Sequence, residues 1–264
     1  MAALRYEWVR ISTVRSTRIC LVLAVLLSAG LAFLIAAPRD SMDQNGTITV
    51  DPQIEWYGAF GFPLTFTAVL VAIVASQAIG QEYRFGLIRL TLTAFPSRVQ
   101  VLVAKLTVVI LASVAMVLAS YLGSELGVTL RGHPLPGDVA VPTDSTFILR
   151  GAVFVVLWGL SAFALAGITR QTAVGIAVPL VSGLIVENLL GLALRDHALW
   201  IVKILPWSTA NRWYQQPITS DGSQGGRGFG FDDLPIGWSA VGIFAVWVVA
   251  LLALEVLSFL RRDA

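Results

Sequence analysis

Six long apolar stretches dominate this sequence and constrain what it can fold into. A helix needs about 20 mostly apolar residues to cross a bilayer, because each residue rises about 1.5 Å through a hydrocarbon core about 30 Å thick. Stretches of about this length occupy residues 19–37, 57–79, 99–122, 147–168, 174–194 and 236–260. None shows the alternation of a barrel strand, and unpaired backbone groups are costly in hydrocarbon. We therefore predict an all-α integral membrane protein with six transmembrane helices.

The composition agrees with a membrane environment. Hydrophobic residues make up 56% of the 264 residues and charged residues only 13%, whereas a soluble domain carries roughly 25% charged residues. The first stretch is longer than the roughly 7 to 15 apolar residues of a signal peptide, so we expect it to be an uncleaved span. Cys20 is the single cysteine, which excludes an intrachain disulfide.

We expect the whole chain to form one transmembrane domain. Residues 1–18 form a segment before the first span, and residues 19–194 contain spans one to five. Residues 195–235 form the longest connection, and residues 236–264 hold the sixth span and a short tail. The long connection begins with apolar and aromatic residues, including Trp200, Trp207 and Trp213, which favours a re-entrant or interfacial segment before span six.

The charge distribution predicts the orientation. An even number of spans places both termini on one side, and that side carries eleven of the 18 basic residues but only three acids, Glu7, Glu82 and Asp263. The eleven are Arg5, Arg10, Arg15, Arg18, Arg84, Arg89, Arg98, Lys105, Arg170, Arg261 and Arg262. The positive-inside rule makes this side cytoplasmic. We expect a multi-pass protein of the cell membrane with both termini in the cytoplasm.

The segment before the first span has apolar residues at helical spacing, namely Leu4, Trp8 and Ile11, beside the cations Arg5 and Arg10. Such a pattern suits an amphipathic helix that lies flat on the cytoplasmic leaflet. A generic basic tail that only sets topology explains the same residues equally well.

The connection between the second and third spans is unusually structured. Residues 80–98 read GQEYRFGLIRLTLTAFPSR, in which apolar side chains alternate irregularly with arginines. This pattern predicts a short helix parallel to the membrane. Its apolar face would contact either the membrane or a cytoplasmic partner.

Several residues of this connection form a recognisable pattern. Glu82, Tyr83, Arg84, Gly86 and Leu90, followed by Pro96, Ser97, Arg98 and Lys105, resemble the motif of type-2 ABC exporter permeases. That motif is roughly E-Y-R-x-G-T-x-x-x-x-L, then P-x-S-R and a lysine early in the third span. This sequence departs from it in two places. Leu87 stands where threonine is usual, and Pro96 is followed directly by Ser97 and Arg98, without the residue that the motif has between proline and serine. The N-terminal segment, the six spans, the long external connection and the terminal Phe259, Arg261, Arg262 and Asp263 extend the resemblance over nearly the whole chain.

The resemblance implies a permease subunit. In that family two six-span units form the translocation path, and each docks on a separate ATPase through the N-terminal segment and the loop after the second span. The implied coupling residues are Glu82, Tyr83, Arg84, Gly86, Leu90, Pro96 and Arg98, and those of the N-terminal segment are Arg5, Trp8, Arg10 and Ile11. The sequence has no G-x-x-x-x-G-K-[ST] phosphate loop. We therefore expect ATP and Mg²⁺ to bind the partner ATPase, with no cofactor on this chain and no nucleic-acid partner.

Polar residues inside the spans are either functional or paired, because ionisable groups in a bilayer are expensive. Glu187, beside Asn188, lies deep in the fifth span, where it either lines a polar path or serves as a structural carboxyl. Lys105 and Glu255 are both shallow, and we expect them to form a structural ion pair. His133 and His197 lack metal-ligand spacing, and no residues form a catalytic constellation.

The sequence leaves the substrate open, although apolar spans favour an amphipathic drug, a peptide or a lipid. Two rival functions have weaker support. An intramembrane enzyme acting on lipid or peptide requires paired acids or histidines on facing helices. A non-transporting sensor or assembly subunit would bind an ATPase without substrate-stimulated turnover.

The orientation is testable by cysteine labelling in intact cells. Because the basic residues cluster on one side, cysteines introduced at Ser41 and Ser223 should react with an impermeant reagent from outside, and one at Ser97 should not. Labelling at Ser97 would overturn the six-span topology.

Overall fold

The computed structural model describes residues 2–36, 52–95, 97–131, 146–194, 198–213 and 235–261. Helices account for nearly all of these residues, and no strand occurs among them. In chain order the α-helices are α1 Ala2–Thr13, α2 Arg15–Ile35, α3 Pro52–Arg84, α4 Leu87–Ala94, α5 Arg98–Leu130, α6 Thr146–Thr169, α7 Thr172–Val181, α8 Glu187–Leu194, α9 Leu199–Ile204, α10 Pro206–Ala210 and α11 Gly237–Arg261. A π-helix, Ser182–Val186, joins α7 to α8.

Five helices in the described parts of the chain are long and apolar enough to cross a membrane, namely α2, α3 from Gly58 onward, α5, α6 and α11. They correspond to five of the six predicted spans. Two extend beyond the predicted limits, since α3 continues to Arg84 and α5 continues to Leu130. As a result Glu82, Tyr83 and Arg84 lie in the last turn of a long helix and not in a loop.

The fifth predicted span, 174–194, is not one continuous α-helix. Pro179 lies inside α7, and the π-helix follows three residues later. Proline lacks a backbone N–H, and a π segment shifts the hydrogen-bond register, so the regular α-helical hydrogen bonding is interrupted here. The Asn188 amide donates to the carbonyl of Gly183 over 3.2 Å, which satisfies one carbonyl of this irregular turn. Crossing of the membrane by this rod remains a prediction.

α2 and α5 pack closely because their interface consists of small residues. Methyl groups added at Gly123 and Gly127 would overlap the backbone carbonyl oxygens of Val25 and Ala29. This G-x-x-x-G spacing is the pattern that brings helix backbones together in membranes. One turn away the hydroxyls of Ser28 and Ser120 lie 2.7 Å apart, and that of Thr67 donates to Ser120 over 3.0 Å, which connects α3 to the same pair.

The centre of the bundle is formed by α3 and α6. Both are buried over 67% of their apolar stretches, whereas α2 and α11 are buried over only 22%. α6 packs against α3 on one side and against α11 on another, so α11 lies at the edge. The peripheral helices therefore expose apolar side chains outward, as expected for contact with lipid or with another chain.

The end of the bundle remote from α1 and α4 is closed by the segment after α8. Trp213 is fully buried against α6, with its ring 5.1 Å from that of Phe147 and 5.5 Å from that of Phe154. Gly151 makes room for it, since a methyl group there would lie 2.7 Å from the indole. The indole N–H of Trp247 in α11 donates to Ile204 over 2.9 Å. The predicted segment before the last span is thus partly helical and packed on the bundle.

Some predicted residues lie outside the described ranges. These are Pro96, Arg262, Asp263 and the two histidines, His133 and His197, together with Ser41 and Ser223 of the labelling test.

Candidate functional site at the α1–α4 end of the bundle

Four charged side chains from three helices meet in a buried cluster at this end of the bundle. The ammonium of Lys105 in α5 donates to Glu7 in α1 and to Glu82 in α3, each over 2.6 Å. The guanidinium of Arg10 donates to the same oxygen of Glu82 and lies 3.3 Å from the second oxygen of Glu7. We refer to Glu7, Arg10, Glu82 and Lys105 as the charge cluster.

The charge cluster is balanced and shielded from solvent. It contains two cations and two anions, and the side chains of Glu7, Glu82 and Lys105 are each no more than 2% exposed. The carbonyl of Ala78, one turn before Glu82, accepts further hydrogen bonds from Arg10 and Lys105. Burying a charge in hydrocarbon costs several kcal/mol unless partners compensate it. The partners here come from α1, α3 and α5, so the charges hold these three helices together.

The local sequence of α1 explains how it reaches α5. Ala3, Glu7 and Ile11 recur every four residues and form the buried face of the helix. Arg10 follows Glu7 by three residues, which keeps both groups on neighbouring positions of one face. Of the three apolar residues at helical spacing, Leu4, Trp8 and Ile11, only Ile11 is buried. The side chains of Leu4 and Trp8 are 39% and 47% exposed.

The predicted ion pair between Lys105 and Glu255 is wrong. Lys105 lies on the face of α5 that meets α1 and α3, where Glu7 and Glu82 bind it. Glu255 packs against α6, where a methyl group on Gly167 would lie 2.7 Å from its side chain. Neither carboxylate oxygen of Glu255 accepts a hydrogen bond from the residues that the structure describes. The position of a residue along its helix does not determine which way the side chain faces.

From the sequence, Glu82 is expected to act as an anionic anchor that pairs with Arg84 or with a basic group on the ATPase. The pairing with Arg84 is wrong. Residues two apart on a helix do not face each other. The guanidinium of Arg84 lies over the ring of Phe85, 5.6 Å from its centroid, and the side chain is exposed. Glu82 is instead buried with Arg10 and Lys105, which leaves it no surface to present to another protein.

The predicted helix after the second span is present as α4. Gly86 has a φ of 67°, in the left-handed region that glycine adopts readily, so the chain turns here between α3 and α4. Ile88 and Thr91 face the bundle, while Phe85, Leu87 and Leu90 are exposed. α4 is therefore an amphipathic helix with an apolar face that no described residue covers.

The other predicted coupling residues connect this end of the bundle internally. The guanidinium of Arg98 at the start of α5 donates to the carbonyls of Phe259 and Leu260 over 3.3 and 3.4 Å. Such contacts satisfy carbonyls at the C-terminus of α11. Tyr83 lies beneath the guanidinium of Arg170, which is 5.1 Å from the ring centroid and sits in the turn between α6 and α7. Of the N-terminal residues, Arg5 is exposed and Arg10 belongs to the charge cluster.

Glu187 lies far from this site and binds the backbone of α10. Its carboxylate is buried and accepts a hydrogen bond from the N–H of Ser208 over 2.6 Å. Ser208 is the third residue of α10, so Glu187 acts as the N-terminal cap of that helix. Asn188 beside it bonds within its own helical turn. These contacts give the carboxyl a structural role, and a role in a translocation path remains a prediction.

Sequence reasoning missed Glu7, which it counted only as one of three acids on the basic side. The signal was present in the spacing of Ala3, Glu7 and Ile11. A carboxylate between small and apolar residues on one helical face predicts a buried group with a cationic partner. The identity of that partner depends on how α1 crosses α5 and could not be read from the chain.

The architecture defines a membrane-embedded, multi-pass helical protein. Its residues 4–186 match the family model described as ABC-2 family transporter protein. The match covers more than half of the chain, so the protein belongs to the ABC-2 transporter family and is the membrane permease subunit of an ABC transporter. This family partners with an ABC ATPase subunit. No curated protein matches the chain.

The equal number of cations and anions in the charge cluster can be tested by removing one charge and then a second of opposite sign. Glu82→Gln leaves two cations against one anion, and breaking a buried ion pair in this way costs about 3–5 kcal/mol. We expect a clear drop in thermal unfolding temperature in detergent. Glu82→Gln combined with Lys105→Gln restores neutrality and keeps the Glu7–Arg10 pair, so it should recover most of that loss. A double variant no more stable than the single one would contradict a balanced cluster.

The cap by Glu187 is testable with two substitutions of similar size. Glu187→Gln keeps an oxygen that accepts from Ser208, so unfolding should be close to that of the parent. Glu187→Leu removes the acceptor and should destabilise the protein by about 0.5–2 kcal/mol, as measured by thermal unfolding. If Glu187→Gln instead alters substrate-stimulated ATP hydrolysis at unchanged stability, the side chain lines the path.

Proposed function

We propose that this chain is the permease of an exporter that moves an amphipathic drug, peptide or lipid-like substrate, and that the ATPase docks on α1 and α4. The observation that carries the proposal is the charge cluster. It fixes α1 to the ends of α3 and α5 directly beside the exposed face of α4. Force applied to α1 would therefore reach α3 and α5 through buried ion pairs, and α4 lies between the same two long helices in the chain.

α4 has the properties of a docking helix. Leu90 is 67% exposed and Phe85 is 64% exposed at the same end of the bundle as α1. Tyr6 of α1 lies 6.0 Å from Phe95, which follows the last residue of α4, so the two short helices adjoin. A surface of exposed apolar side chains next to arginines is typical of a helix that meets a protein partner. The protein partner that would cover this surface of α4 is the ATPase subunit of the family.

Contacts around α4 extend to the other long helices. Arg98 binds the C-terminus of α11, and Tyr83 stacks with Arg170 between α6 and α7. Closure of two ATPase subunits on ATP would displace α1 and α4, and the connected helices would tilt together. Alternating access by such rigid-body movement is an established kind of switching transition. ATP and Mg²⁺ act on the partner, and this chain contributes the path and the coupling surface.

The orientation and the assembly complete the proposal. The excess of basic residues supports a cytoplasmic location of α1 and α4, on the side of the ATPase, with both termini of this cell-membrane protein on that side. Two permease chains, identical or similar, would enclose the path between them. The exposed apolar faces of α2 and α11 are available for that contact and for lipid.

Docking on α4 is testable by placing a charge in the proposed contact. Leu90→Asp puts a carboxylate into an apolar interface, and a desolvated, unpaired charge costs several kcal/mol. We expect the variant to insert normally but to lose most of the ATPase during co-purification. The matched control is Leu260→Asp, an exposed leucine at the same end of the bundle but outside α1 and α4.

The control should retain the ATPase as the parent does. Equal retention by Leu90→Asp and the parent would show that α4 is not the docking helix. Loss from both variants would show that the bundle end tolerates no added charge, and it would also count against a specific contact at α4.

A further inference from the structure

A groove of about 1050 Å³ lies between α1 and α5, next to the charge cluster. Leu4, Trp8 and Val9 of α1 form one wall, and Val108 and Leu111 of α5 form the other. Arg5, Tyr6 and Arg10 of α1 also line the groove. Its size is at the upper end of that of small-molecule sites, which are about 300–1,000 Å³.

The apolar walls fit hydrocarbon. Leu4, Trp8, Val9 and Leu111 are each between 39% and 51% exposed, although all are large apolar side chains. Leu111 lies six residues beyond Lys105 along α5, which is about 9 Å further into the bilayer. A chain that enters at α1 can therefore run along α5 toward the membrane centre, as an acyl chain does. In a membrane this groove is open to lipid.

The charge at the mouth of the groove is positive. Arg5 is exposed and makes no ion pair with any acid that the structure describes. Glu7 is the only acid of α1, and Lys105 and Arg10 already neutralise it in the interior. Arg15 and Arg18 follow at the start of α2, and both are exposed. Arginines at this depth attract anionic headgroups and bind phosphate through two N–H donors.

We propose that the groove between α1 and α5 binds one anionic phospholipid of the cytoplasmic leaflet, with its acyl chain along Leu4, Trp8 and Leu111 and its phosphate on Arg5. The leaflet assignment rests on the proposed orientation. Binding itself does not, because the groove and its charges belong to a single chain. The lipid would fill the space beside α1 and hold that helix on α5.

The test is native mass spectrometry of the purified full-length chain without its ATPase, in detergent with added phosphatidylglycerol or phosphatidylcholine of equal chain length. We expect the parent to retain one phosphatidylglycerol in preference to phosphatidylcholine. Arg5→Gln should weaken retention about fivefold, as expected for one arginine at an anionic surface. The matched control Arg261→Gln removes an exposed arginine from the same end of the bundle, outside the groove, and should retain lipid as the parent does.

A second variant tests the apolar walls. Leu111→Trp fills the groove without changing any charge, so it should reduce retention of phosphatidylglycerol. Three results would overturn the proposal: equal retention of both lipids by the parent, equal loss in Arg5→Gln and Arg261→Gln, or full retention by Leu111→Trp. Any of them would show that the retained lipid is ordinary annular lipid. Because no ATPase is present, failure here is independent of docking on α4.

Discussion

A lysine ammonium that is fully buried in a membrane bundle determines how this end of the protein is built. Lys105 cannot remain charged there without anions, and it finds them on two other helices, Glu7 of α1 and Glu82 of α3. Two carboxylates around one lysine would leave an excess negative charge, which Arg10 cancels. The requirement for neutrality therefore brings three helices to one point. This requirement holds α1 against α3 and α5.

The charge cluster also gives the short N-terminal helix α1 a role in a permease. α4 connects α3 to α5 in sequence, whereas α1 reaches them through the charge cluster and through the packing of Ala3 and Ile11. A partner that pushes on α1 and α4 together would move the ends of both long helices as a unit. The exposed Leu90 of α4 and the groove beside Trp8 of α1 are two separate apolar surfaces at this end of the bundle. One faces the proposed ATPase, and the other faces lipid.

Much of the fold is readable from the sequence because a bilayer permits few solutions. Length and hydropathy predict five long helices correctly, and the G-x-x-x-G spacing and Gly86 agree with the close packing and the turn found there. The break at Ser182–Val186 was not predicted, because an apolar stretch reads the same whether its hydrogen bonds follow an α or a π register. The partner of Lys105 was predicted wrongly. Depth along a helix follows from residue number, whereas the rotation that selects Glu82 over Glu255 depends on packing against all neighbours.

The central claim is that the charge cluster makes α1 and α5 one rigid unit, and a distance between them tests it most directly. Spin labels at Ser12 of α1 and Val103 of α5, both exposed, report that distance in the assembled transporter after Cys20→Ala and dilution with unlabelled chains. The account predicts the same narrow distance distribution in the nucleotide-free and ATP-trapped states, and a broadened one in Glu82→Gln. A change in the parent distance on ATP binding would contradict it, because α1 would then move relative to α5.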